Sequence, residues 1–155
     1  MKGNQRVLAH LQRLLNCDLA AMDQFLLHAR MFEDWGYTKL AARTDTALAE
    51  SRRQTDLLLR RMLFFGSAPD LVQREAMTTA TAVREMLRCD VEMQYRLVEN
   101  LRAAMVCCIE EQDFQTQAML AGMLRECEDT HVNWLEQQLA QIEAMGLENY
   151  LARQL

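Results

Sequence analysis

The sequence predicts an all-α protein: four long helices packed as a bundle, one long crossover between the second and third, and a short fifth helix at the C-terminus. Three observations carry that expectation. The 155 residues hold one proline and five glycines against 11 methionines and an abundance of Leu and Ala. Ala, Leu, Met, Gln, Glu and Arg give up little freedom in a helix, so this composition favours helix nearly throughout. The breakers are few and widely spaced: Gly36, "GSAP" at 66–69, the polar "EEQD" at 110–113, and Gly146. They leave four periodic runs of roughly 25 to 30 residues, each about 40 Å long as a helix. Finally, the stretch from Gly66 to Ala82 is long enough to cross the whole bundle while the other connections are tight, so the connectivity is not simply up and down.

The elements follow in order. The first helix ends before Gly36 and offers a core stripe of Leu11, Leu14, Leu15, Met22, Phe25, Ala29 and Phe32, with Asp18 inside it. The second offers Ala47, Leu48, Leu58, Met62 and Phe65, with Ser51 and Gln54 in the middle. The third, Val83 to Cys108, carries Val83, Leu87, Val91, Leu97, Leu101 and Cys108, interrupted by Gln94. The fourth begins near Phe114 and places Glu128 and His131 between Leu120, Leu124, Leu135 and Ile142. After Gly146, "LENYLARQL" forms the short last helix. Every stripe is therefore interrupted near mid-helix. Burying such groups without partners costs several kcal/mol, so the four interruptions imply one shared polar site. Glu128 and His131, three residues apart on a helix, stack one turn apart on the same face. A chain of this length is expected to form a single domain over residues 1–155.

The net charge of −5 and pI near 5.2 argue against a nucleic-acid surface, which needs clustered positive charge. The start "MKGNQRVLAHLQRLL" is charged and amphipathic, unlike a secretory leader. No run approaches the roughly 18 apolar residues of a membrane span. Cys17, Cys89, Cys107, Cys108 and Cys127 make an odd count with no CxxC pair, which suits reduced thiols and a cytoplasmic location.

Four stretches, "FLLHARMFEDWGYTKL" (25–40), "RRMLFFGSAPDL" (60–71), "THVNWLEQQL" (130–139) and "MGLENYLARQL" (145–155), resemble the bacterioferritins, and the likeness covers nearly the whole chain. The resemblance implies the ferritin-like bundle and a hollow shell of 24 subunits built from two-fold dimers, with iron mineral inside. The short last helix would line the four-fold pores.

The family's ferroxidase site takes a Glu from the first helix, Glu-x-x-His from the second, a Glu from the third and Glu-x-x-His from the fourth. Carried over by position, these are Asp18, Ser51, Gln54, Gln94, Glu128 and His131, of which Glu128 and His131 match. Asp18 is one methylene short, drawing its oxygens back by about 1.5 Å where metal distances hold to about 0.2 Å. Ser51, Gln54 and Gln94 are neutral where carboxylates and an imidazole belong, and hard divalent ions want anionic oxygen. Glu50 does not rescue the site, since its neighbour position points about 100° away around the helix. At most one weakly held ion is expected, through Asp18, Glu128 and His131. Without it, the six form a hydrogen-bonded layer with His131 a candidate cation.

Haem in this family is held by a Met from each of two subunits; the matching residue here is Arg52, which has no lone pair to give, so haem is not expected through this chain. The resemblance therefore implies an iron-storage shell subunit with a degenerate oxidation centre, sharing its shell with a sister subunit that oxidises iron or binds haem. Glu50 is a candidate for mineral nucleation. Two rival readings are a slow ferroxidase at Asp18, Glu128 and His131, and a structural shell protein without iron chemistry. His28 reads as a packing or helix-surface residue, and Trp35 and Trp134 suit helix ends and interfaces.

Overall fold

A computed structural model describes all 155 residues. α1 (Gln5–Asp34) and α2 (Thr38–Phe64) form the first antiparallel pair; α3 (Val83–Glu110) is followed by α4 (Phe114–Glu126), a π-helical turn (Cys127–Val132) and α5 (Asn133–Met145), which together make the fourth rod. α6 (Leu147–Ala152) closes the chain. No strand is present. The breakers act where expected. α1 ends with Gly36 at φ +81°, where the Gly36 N–H donates to Glu33 O and the Tyr37 N–H to Phe32 O at 2.9 Å. This left-handed cap satisfies carbonyls that the helix leaves open, at a φ that costs glycine nothing. α3 ends the same way, yet with Gln112 at φ 58° in the glycine's place.

The crossover, residues 66–82, contains no helix and runs along α1. The Gln12 side chain holds it at Asp70, donating to the Asp70 carbonyl at 2.8 Å and accepting from its N–H at 2.9 Å. Further on, Arg74 donates to Asp23 at 2.8 Å. The core is a large cluster around Leu11, Leu14, Leu58, Leu101 and Leu120 at one end and a smaller one around Phe32, Leu40, Leu87 and Tyr150 at the other. The polar layer lies in the waist between them. Tyr150 of α6 is fully buried and donates to Gln138 Oε1 at 2.7 Å, which docks the last helix on α5.

Candidate functional site

Asp18 on α1, Ser51 and Gln54 on α2, Gln94 on α3 and His131 on the π turn are all buried, as the interrupted stripes require. Glu128 is not among them. Its side chain is 40% exposed and accepts from Arg102 Nη2 at 2.8 Å. The cause is local. A π turn closes its hydrogen bonds from i to i+5, adding about one residue per turn, so neighbours one turn apart become i+4 and i+5. Across Cys127–Val132 the residues beneath His131 are thus Cys127 and Glu126 rather than Glu128. The expectation of a single ion held by Asp18, Glu128 and His131 is corrected on this point: the structure does not bring the three together.

Cys127 takes the vacated place. It is fully buried and its thiol donates to Gln94 Oε1 at 3.0 Å. Burial, then the charges of Asp18, Glu128 and Glu126, push that thiol up to about 12, so it stays protonated and suited to donate. Glu126 accepts from Gln54 Nε2 at 3.1 Å and pairs with Arg53. Burial works against its charge, but the hydrogen bonds from Arg53 and Gln54 outweigh it and hold the carboxyl below the usual range.

Asp18 has neither oxygen hydrogen-bonded and no exposure at all. Burial, with Glu126 adding like charge, raises its carboxyl well above the ordinary value, which favours the protonated form. His131 Nε2 lies 2.5 Å from Glu50 Oε2, a contact rather than an aligned hydrogen bond, since that oxygen has no hydrogen-bond partner. Burial and Arg43 lower His131 to about 4, and burial plus Glu126 raise Glu50. His131 is therefore neutral at pH 7, not the cation its place in the layer suggested. Glu50, expected to point away, reaches the layer because its long side chain spans the gap from the adjacent position on α2.

A second polar cluster lies nearby. Asp90 Oδ1 accepts from Gln24 Nε2 at 2.7 Å and lies 2.8 Å from His28 Nδ1, all three being buried. Burial raises the Asp90 carboxyl, while His28 and Gln24 oppose that. Between the two clusters is a cavity of about 10 Å³ lined by Asp90, Thr44 and His131. That is room for one water and no ligand. His28 is thus a packing residue, buried rather than on the surface.

A ferritin-like domain matches residues 8–145. Over its full length the chain is 42% identical to a bacterial ferritin of Synechocystis sp., covering 99% of that protein. It is 36% identical to a bacterial ferritin of Neisseria meningitidis serogroup B, covering all of both chains. Against a bacterioferritin of Mycobacterium leprae the identity is 31%, over 99% of this chain and 96% of the relative. The chain belongs to the bacterioferritin family.

The bacterioferritin scaffold is present, and the polar layer at its waist is poor in anionic donors. Two ferrous ions bring four positive charges; the layer offers the fully buried Asp18 and, from its rim, Glu50, while Cys127 and Gln94 satisfy one another. No three His, Cys, Asp or Glu side chains converge to metal-binding distance. Arg52, for which the resemblance implied a haem-ligand position, is exposed on α2 and makes no ion pair within the chain. No helix is long and apolar enough to cross a membrane. Sequence reasoning missed Glu126 and the Gln24–His28–Asp90 cluster. The last had a signal: Gln24 and His28 are four apart, and Asp90 falls in the stripe between Leu87 and Gln94.

Proposed function

We propose that this chain is a wall subunit of an iron-storing, bacterioferritin-type shell of 24 subunits, and that its own oxidation centre is degenerate. The observation that carries the reading is Glu128 turned out to Arg102 while Asp18 is left in the layer without a hydrogen-bond partner. One buried carboxyl with amide, hydroxyl and thiol neighbours does not answer the charge of an iron pair. The shell is supported by large apolar side chains that the isolated chain leaves in water: Leu63, Phe64, Val106, Ile109 and Phe114, each more than half exposed. A monomer seldom leaves that much apolar surface uncovered. A sister subunit that oxidises iron or binds haem supplies what this chain lacks, and Glu50, a quarter exposed, offers mineral a carboxylate.

Slow oxidation through Asp18, Glu128 and His131 has the Arg102 pairing of Glu128 against it. Co-assembly tests the proposal. Shells of this chain alone load iron slowly, and shells reassembled with a catalytically complete bacterioferritin subunit load at a rate set by the partner's share. Failure to co-assemble, or rapid loading of the pure shell, contradicts it. Assembly with no iron retention under either condition would favour a structural shell without iron chemistry.

A further inference from the structure

A cavity of about 330 Å³ lies between α1, α3 and the crossover, and none of the polar layer's side chains lines it. That is room for a small molecule rather than for a water or two. Its floor is neutral. Asn100 Nδ2 of α3 donates to Cys17 Sγ of α1 at 3.1 Å, and burial pushes the Cys17 thiol up to about 11, so it adds no charge. The crossover walls one side, where the Glu75 N–H donates to Asn16 O at 3.3 Å. The contacts of Gln12 with Asp70 and of Arg74 with Asp23 hold it there. Around the rim stand four charges, two of each sign: Arg13 on α1, Arg96 and Glu99 on α3, and Glu75 on the crossover. None of the four makes an ion pair or a side-chain hydrogen bond within the chain. Arg96 and Glu99 are three apart on one helix, a spacing at which opposite charges can meet, and still they stand unpaired. The neighbouring Arg74, by contrast, holds Asp23.

We propose that this cavity binds a small zwitterion, an amino acid or short peptide with a free amine and a free carboxylate. Arg13 and Arg96 take the carboxylate, for which guanidinium groups are the matching donors. Glu75 and Glu99 take the ammonium. Asn100 spends its N–H on Cys17, which leaves its Oδ1 to accept from an amine or a peptide N–H. The rim charges sum to zero, so a simple anion is repelled by the two carboxylates and a simple cation by the two guanidiniums. A molecule carrying both charges answers all four, and that difference is the source of selectivity.

The test is saturation-transfer NMR on the assembled protein, titrated with glycine and with triglycine. The tighter of the two tells a free amino acid from a peptide, and the wild-type protein binds it with a Kd of about 1 mM or tighter. Its N-acetyl derivative keeps only the carboxylate and its amide only the ammonium; each binds at least about fivefold more weakly. Glu75→Gln with Glu99→Gln removes the preference for the free amine, so the parent and its N-acetyl derivative bind alike. Arg13→Gln with Arg96→Gln does the same for the parent and its amide. All four side chains are exposed, so these variants keep the fold, which an unchanged unfolding midpoint verifies. No saturation transfer from either compound overturns the inference. So do derivatives that bind as tightly as the parent, or a preference for the zwitterion that survives both pairs of substitutions.

Discussion

Replacing Asp18 with Asn removes an ionisable group for which the bundle has no partner, at nearly constant volume. Asp18 has no exposure and no hydrogen bond, and burial raises its carboxyl well above the usual value. The raised folded value means that the unfolded chain releases this proton first. Stability from the group is therefore complete below the unfolded value near 3.8 and is lost as pH rises towards the folded one. Within that window the penalty grows by about 1.4 kcal/mol for each pH unit. The neutral acid and the amide leave similar polar groups unmet, so variant and wild type start level near pH 4 and diverge above it. The assay is thermal unfolding of both proteins, free of metal, between pH 4.5 and 6.5, read as the difference between them so that shared titrations cancel. Each pH unit should separate the midpoints by roughly 3–6 °C, at about 2–4 °C per kcal/mol for a chain of this size. A flat difference, or a variant less stable at pH 6.5, would show that Asp18 is charged and paired, and would refute the reasoning.

Other expectations follow from single contacts. Gln112 sits at φ 58° in a cap that elsewhere uses glycine, so Gln112→Gly should gain about 1 kcal/mol, measured by denaturant midpoint at unchanged slope. His28→Leu strands Asp90 in the core and should cost about 3–5 kcal/mol; adding Asp90→Leu should recover much of it, which a double-mutant cycle would read. His131, lowered to about 4, stays neutral in the fold while the unfolded chain binds a proton near 6.5. Its share of stability is therefore lost as pH falls from about 6.5 towards 4, and His131→Phe should flatten the wild-type acid limb in that range.

The helices were legible because their ends are written in residues with one conformational use. Gly36, Gly66 and Gly146 all take positive φ at rod ends, and the long gap after Gly66 is the crossover. The waist was legible too, since a polar side chain at a core position needs company: Asp18, Ser51, Gln54, Gln94 and His131 are all buried. What failed was register. Carrying the α period through Cys127–Val132 put Glu128 beside His131, whereas the π turn rotates it to Arg102 and brings Cys127 and Glu126 beneath. Nothing in "CEDTHV" distinguishes a π turn from an α turn by composition. Glu50 was misjudged because its direction was taken from the backbone alone, while a long side chain on a rim position covers the distance to His131.

The central claim is that this subunit cannot oxidise a pair of irons by itself. Stopped-flow mixing of air-saturated buffer with the pure shell, preloaded anaerobically with two Fe(II) per chain, tests it most directly through ferric absorbance. The account predicts only a slow rise, matching iron in protein-free buffer, with no early phase of fixed stoichiometry. A fast phase that saturates at two irons per subunit would contradict it.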